Sequence, residues 1–502
     1  MFRVTGRMMY NNSLLNIFRQ NEGILKAQEQ LASGKRVNRP SDDPSAAGLI
    51  LRYQQQIGRL EKFISMGERA EGYLNNGDSL VGSVYDLAVR AKELALQEAN
   101  ADATAETRRM VAIEIANLIE SAVQIGNNRI GSEYLFGGRR TNLPPIDSNG
   151  LYAGDYISLS AKTGENSSVP RSVLASDFLA ADLNPMLNAS TPISALNGGQ
   201  GITTGTFTIT DRGGATGSVT VSAGATIGSV IASINASGAN VTASISPDGM
   251  GIRIVDNNAA ASGSLTITDT GGSAAAGLGI AGSRPSSTFT GDDINPAVTT
   301  STLLSDLYAG SGMTLNDITV RNGAASATVT FSTAATVADV ITALNGSSVN
   351  ITASINANGT ALSIASNDSS TVAYAVDASG NRTAELFGIG GGRNVIQTLQ
   401  ILEQALLADD TSAIVGLLDN LDSAVTTLNS VRGAIGSYTN RIQSSRFSME
   451  KSVLDATTML SGVQDADIAK VVSELVLWET AYQATVQVTA RIIQTSLMNF
   501  LR

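Results

Sequence analysis

The sequence contains no cysteine and no histidine. The first absence excludes disulfides, thiol catalysis and cysteine-based metal sites. The second removes the side chain that most often moves protons or binds metals near neutral pH. Tryptophan occurs once, and charged residues make up only 15% of the 502. The charge is acidic on balance, −11 with a pI near 4.7, so the chain lacks the basic footprint of a nucleic-acid binder. No apolar run reaches ~18 residues, which argues against membrane insertion. The opening stretch, MFRVTGRMMYNNSLL, has no apolar core and no small-residue cleavage site, and so does not read as a cleaved secretory signal. There is no Gly-rich phosphate loop and no nucleophile motif. The expectation is therefore no catalytic residue, no cofactor and no metal.

What the chain does have is a division into three parts. Residues 1–142 and 395–502 read as long amphipathic helices, the N-terminal and C-terminal arms, which should pair with each other. Residues 143–394 are rich in Gly, Ser and Thr and read as short strands and turns. This middle part is the acidic one: residues 151–395 hold 8 basic and 16 acidic side chains. The expected fold class is α+β multidomain, with a discontinuous long-helix coiled-coil or bundle core from both termini and inserted β-rich modules facing outward. Such a layout points to assembly rather than to chemistry.

In the first arm Tyr10, Leu14, Ile17, Asn21, Ile24, Gln28 and Leu31 recur at spacings of 4 and 3, a heptad seam. The same pattern suits one buried face of an ordinary bundle helix. Its length, about 40 Å at ~1.5 Å per residue from Arg7 to Ser33, favours a coiled-coil partner. In the last arm Ile468, Val471, Leu475, Trp478 and Tyr482 share the spacing, which continues through Thr485, Thr489 and Ile492. Apolar residues persist to Phe500-Leu501. Termini are usually polar and frayed, so this one implies burial against something. The polar seam residues add little stability. The two helices should pair weakly in one molecule and become stable when neighbouring copies cover the remaining apolar faces.

Residues 31–48 read LASGKRVNRPSDDPSAAG. Gly34 suits a left-handed helix cap, and Pro40 forbids continuation. Ser41 is expected to cap the next helix, with Asp42 and Asp43 in its first turn and Lys35, Arg36 and Arg39 opposite them. The two carboxylates read as caps, because no histidine or third ligand accompanies them. Helix is expected from Ser45 to about Ala99, from Thr104 to near Gly131, and from about Asn394 to Leu428. A last long helix is expected to open at Arg432–Arg441.

LASGKRVNRPSDDPSAAG resembles the turn of the bacterial flagellin superfamily, and RGAIGSYTNRIQ with DADIAKVVSELVLWETAYQAT resembles its C-terminal counterpart. The phrases RVTGRMMYNN and EYLFGGRRTNLPP are more similar to the hook–filament junction branch than to filament flagellin. The resemblance covers roughly residues 1–145 and 395–502. It implies an extracellular structural subunit of the flagellum, exported unfolded through the type III channel by an uncleaved signal and joining hook to filament. It also implies the partners: copies of itself, a hook-side junction protein, flagellin or other filament-side subunits, and an export chaperone. Leu14, Ile17, Ile24 and Leu31 should form an inner seam with Leu475, Trp478, Tyr482 and Ile492. Gly34, Arg36, Asp42 and Asp43 should set the bend and touch neighbours. Filament flagellin and a secreted adhesin using its β modules are the alternatives.

The middle part contains a repeat. ATIGSVIASINASGANVTASISPDG, from Ala225, matches ATVADVITALNGSSVNITASINANG, from Ala335, at a shift of 110 without a gap. Two β modules are expected, at about 200–283 and 310–392, each with strands around a short helix. Stiffening, lateral contact or adhesion are the roles open to them. The sequons at Asn240 and Asn350 read as polar strand ends.

Overall fold

A computed structural model describes residues 6–100, 102–258, 262–378 and 381–500, with side chains described for Met8 and, within those ranges, from 11 to 491. The longer helices are α1 (Gly6–Ser33), α2 (Pro44–Glu98), α3 (Ala105–Gly126), α4 (Ile227–Asn235), α5 (Val337–Asn345), α6 (Val395–Leu407), α7 (Thr411–Gln464) and α8 (Ile468–Phe500). None of the helices among the described residues is long and apolar enough to cross a membrane. The chain divides into two compact units. One comprises Met1–Arg69, Lys162–Ser168 and Arg441–Arg502; the other comprises Ala70–Ala161 and Val169–Asn440.

In the first unit α1 packs along α8. The turn after α1 is held to the end of α7 by a small core of Val37, Ala46 and Ile50, with Leu460 and Val463 against it. Arg59 pairs with Glu165 at 2.7 Å and so ties the short 162–168 segment to α2.

The second unit holds two copies of one β module. In the first copy β1 (Gly205–Thr210) pairs antiparallel with β2 (Thr216–Val221) and β5 (Leu265–Gly271), while β3 (Val241–Ile245) pairs with β4 (Ile252–Asp256). Two short strands, β6 (Gly282–Arg284) and β7 (Thr288–Thr290), extend the sheets on β5 and β4. In the second copy β8 (Ile318–Asn322) pairs with β9 (Ala325–Val329) and β12 (Ala373–Asp377), and β10 (Ile351–Ile355) with β11 (Leu362–Ser366). For the five strands the copies share, order, pairing and direction therefore repeat.

The side chains repeat with them. Thr226 caps α4 and Thr336 caps α5, each by accepting a hydrogen bond from the N–H three residues on. Asn235 clamps both backbone groups of Ala243, and Asn345 clamps those of Ala353 in the same way. Alternation along the strands puts Phe207, Ile209, Val219 and Val221 into one core and Ile318, Val320 and Val329 into the other. Each such side chain contributes ~1.5–3 kcal/mol relative to exposure. The sequons open β3 and β10: Thr242 and Thr352 bond to the side chains of Asn257 and Asn367, each one residue past the neighbouring strand.

Helix boundaries in both arms differ from the sequence-based expectation. α3 stops at Gly126, not near Gly131, because the Asn127 side chain bonds both backbone groups of Ile146 at 2.9 Å and leaves the helical path. Gly131, with φ 64°, turns the short hairpin that follows. The C-terminal arm breaks at 408–410 and 465–467, not near Leu428. Asp409 takes φ 58° and pairs with the buried Arg108 guanidinium, while Asp410 caps Ala413 at 3.0 Å. Gly433 and Gly436, each costing ~1 kcal/mol in a helix interior, do not interrupt α7. Finally, α2 begins at Pro44, one residue before the expected Ser45, but its cap is not Ser41. Proline disfavours the α region for its predecessor, so Asp43 becomes the cap and Asp42 stands before the helix.

Candidate assembly site

The site is built from the two helix-to-helix turns of the first unit and the α1–α8 seam. Gly34 takes φ 67° and ends α1. Its carbonyl accepts the N–H of Ala466 at 2.9 Å, and the N–H of Arg36 reaches the carbonyl of Gln464 at 2.7 Å. The Arg36 guanidinium does two things: it donates to the Val463 carbonyl at 2.9 Å and to Asp43 at 3.2 Å. The turn at 34–43 and the turn at 464–467 are thereby stapled together.

The carboxylates lock the first turn from within. Asp43 Oδ1 accepts the Ala46 N–H at 3.0 Å and the Ser45 hydroxyl at 2.7 Å. Those two bonds, the larger first, and then Arg36, hold its carboxyl down to about 2. Asp42 Oδ2 accepts the N–H groups of Arg39 and Asn38 at 2.9 and 3.1 Å, and its carboxyl is lowered chiefly by Arg39. Lys26 lies 3.8 Å from Asp42, while the Arg39 guanidinium turns away to Glu29 at 3.1 Å. Among the described residues no group of three or more His, Cys, Asp or Glu suits a metal ion.

Leu14, Ile17, Ile24 and Leu31 are all half-buried on α1, as is Leu475 on α8. Trp478 and Tyr482 each remain 36% exposed. The side chain of Ile492, like those of Tyr10 and the apolar residues from Ile493 onward, lies outside the described residues. The seam itself is rotated from the expected one. Asn21 and Gln28 are exposed, and Gln20 and Ala27 take their places. The cause is the indole: a β-carbon on Gly23 would stand 2.8 Å from Trp478, so the ring lies against bare backbone and draws the small-residue face of α1 toward it. Gln20 then donates to the Thr485 hydroxyl at 2.8 Å, and Thr489 is buried. Gly23, Ala27, Gln20 and Val37 were not singled out from the sequence. Gln20, Gly23 and Ala27, at spacings of 3 and 4, were the available signal.

Beside this seam the helices carry a second, uncovered set of apolar side chains. Leu15, Phe18 and Leu25 on α1 are 54%, 66% and 59% exposed, and Val476, Leu477 and Val488 on α8 are 56%, 65% and 54% exposed. Phe447 and Leu454 on α7 are 71% and 65% exposed. Apolar surface in this quantity on one unit marks contact with other proteins.

Residues 4–141 match the bacterial flagellin N-terminal helical region and 418–501 the bacterial flagellin C-terminal helical region. Residues 206–271, within the first β module, match the flagellin hook IN motif. Over 156 residues the chain is 24% identical to flagellar hook-associated protein 3 of Salmonella typhimurium, covering 30% of this chain and 49% of that one. Over 148 residues it is 26% identical to a flagellin of Listeria innocua, covering 30% and 48%. The chain thus spans about half the length of the curated relatives it matches. Among solved structures, flagellar hook-associated protein 3 of Legionella pneumophila superposes over 82% of this chain and 98% of that one, with a TM-score of 0.39 and 13% identity. FlgL of Xanthomonas campestris superposes over 82% and 99%, with a TM-score of 0.37 and 15% identity.

Proposed function

From the premise that this chain is a flagellin-superfamily protein resembling hook-associated protein 3, we propose that it is a structural subunit joining the flagellar hook to the filament. It works by self-assembly through its terminal helices and performs no catalysis. The observation that carries this reading is the pair of apolar faces on α1 and α8. One face is spent within the molecule on the Gly23–Trp478 seam, and the other is left uncovered. Copies of the chain, a hook-side junction protein and filament-side subunits are the partners that would cover it. An export chaperone would cover the same apolar helices before assembly, and the assembled protein would lie outside the cell. The division at 1–142, 143–394 and 395–502 assigns assembly to the arms and leaves the β modules on the exterior.

The test is electron microscopy of flagella from a deletion strain. Hooks without filaments are expected; full filaments would overturn the reading. A filament flagellin is the second reading, favoured by the comparable identity to Listeria flagellin. Abundance in isolated flagella separates the two: a few rings' worth of protein means a junction, and bulk means a filament.

A further inference from the structure

The two β modules do not merely sit side by side. Each is preceded by the same four-residue leader, Asp182-Leu183-Asn184-Pro185 and Asp293-Ile294-Asn295-Pro296. In both the Asp Oδ1 accepts the N–H of the Asn two residues on, at 2.9 and 2.7 Å, and in both that Asn takes φ 35°.

The leaders are crossed. The first leader bonds to the second copy: Tyr308 N–H to the Leu183 carbonyl, Ala309 N–H to that of Asn184, Met186 N–H to that of Asp306, and Leu183 N–H to that of Thr360, all at 2.7–2.9 Å. The second leader bonds to the first copy. Asn197 N–H reaches the Ile294 carbonyl, Gly198 N–H that of Asn295, Ala297 N–H that of Ala195 and Ile294 N–H that of Met250, at 2.6–3.1 Å. Residue for residue the exchange is reciprocal. Each copy completes the other.

Two acids head these crossed segments: Asp182 is buried, and Asp293 is half-buried with its Oδ2 turned inward. Asp293 Oδ2 and Asn184 Oδ1 are buried oxygens with no hydrogen-bond partner, and the Asn184 amide reaches only the sulfur of Met250, at 4.0 Å. A carboxylate with an unpaired oxygen in such a place is costly, whereas a neutral carboxyl is not. The charged surroundings do not relieve it. Asp155 faces both acids, Asp248 faces Asp293, and Asp182 and Asp293 face each other; Arg140 is the cation nearest in effect to both, with Arg139 acting on Asp155. The phenols of Tyr152 and Tyr308 also face Asp182. Asp177 acts on Tyr152, and Arg393 and Glu385 on Tyr308.

We propose that the crossed leaders form a proton-dependent latch between the two modules, closed while Asp182 and Asp293 are neutral and loosened when both are charged. Burial, with the like charges adding to it, pushes Asp182 up to about 7 and Asp293 up to about 6. Both values lie above the ordinary 3.8 that the acids regain when the latch opens and admits water. The latch is therefore firmest below about pH 4. It weakens as pH rises toward 7 and changes little beyond that.

The test is hydrogen exchange on the full chain at pH 4.5 and 7.5, corrected for intrinsic rates, read on peptides spanning 182–187, 195–198, 293–298 and 306–309. Protection there should fall at least tenfold more than in β1 of the first module. The double variant Asp182→Asn, Asp293→Asn should cut that difference to less than threefold. Equal pH dependence in the latch peptides and β1, or an unchanged dependence in the double variant, would overturn the proposal. Should the double variant fail to fold, Arg140→Gln serves: loss of that cation should move the loosening up by half a pH unit or more, and an unmoved midpoint sinks the latch.

Discussion

Substituting Gly23 with alanine tests the seam at its tightest point. The new β-carbon would stand 2.8 Å from Cδ2 and Cε2 of Trp478, closer than real side chains approach, so the indole or the helix has to move. Overpacking of this kind costs roughly 1–3 kcal/mol. Against it stands the helix preference of Ala over Gly, worth about 1 kcal/mol. In the native background the change should be neutral to destabilising by about 2 kcal/mol. Replacing Trp478 with alanine removes a ring that is 36% exposed, costing about 2–3 kcal/mol. It also removes the obstacle. In that background Gly23→Ala keeps only its helix term and should stabilise by about 1 kcal/mol. The double-mutant cycle thus predicts a coupling of roughly 1–3 kcal/mol and, for any overpacking above the helix term, a reversal of sign. Local opening free energies of α1 from hydrogen exchange read all four corners. Trp478 is also the sole tryptophan, so its emission reports directly on the ring in the native and Gly23→Ala proteins. If Gly23→Ala has the same sign and size in both backgrounds, the indole does not rest on this glycine and the seam has been misplaced.

Gly34→Val should strain the turn by about 1–2 kcal/mol, because φ is 67° and the surrounding space is open, leaving conformation as the whole cost. Gly34→Asn should recover much of it. Shed filaments with intact hooks are expected of the valine variant, and normal motility would count against the turn's role. Asp43 has a folded value near 2, below the ordinary 3.8, so its contribution is present above pH 4 and disappears as pH falls through 2. Exchange at the Ala46 amide should rise over that interval, and Asp43→Asn should abolish the response; a variant that still responds locates the titration elsewhere. Limited proteolysis should trim both arms of the lone molecule and spare the assembled one, and equal trimming of the two would contradict the assembly reading.

Much of this was legible in the residues. The 110-residue repeat preserves Thr226 and Thr336, Asn235 and Asn345, and the alternating strands, because cap, clamp and pleat each impose a local demand on residue type. The α1 seam was legible in its length but not in its phase. Heptad counting weighs Asn21 against Leu14 and Leu31, whereas the phase was decided by one indole meeting one glycine across more than 450 residues of sequence. The break at 408–410 was hidden for a similar reason. Its cause is Arg108, on a different helix, pairing with Asp409. The crossed leaders stand in the sequence as two copies of Asp-Leu/Ile-Asn-Pro, too short to notice until their hydrogen bonds run to opposite modules.

The two units also differ in how completely they satisfy themselves, and that difference bears on where each folds. Phe207, Ile209, Ile252 and Leu265 in one module and Val320, Val337, Leu344 and Leu362 in the other are wholly buried by their own chain. The seam of α1 with α8 buries Ala27, Val471 and Thr489 but leaves its larger side chains half-covered. Burial of a Leu or Phe contributes ~1.5–3 kcal/mol only when it is complete. A helix pair with a Gln–Thr hydrogen bond, a glycine and a partly exposed tryptophan at its centre holds register better than it holds together. Such an interface is stable enough to align two arms and weak enough to gain from a third surface. On the proposed function that third surface is the next subunit, which covers the exposed Phe18, Leu25 and Leu477. The modules need no such neighbour, and neither do Leu74, Val81, Ile115, Leu402 and Leu421, buried in the same unit; on that proposal only the pairing of α1 with α8 waits on assembly.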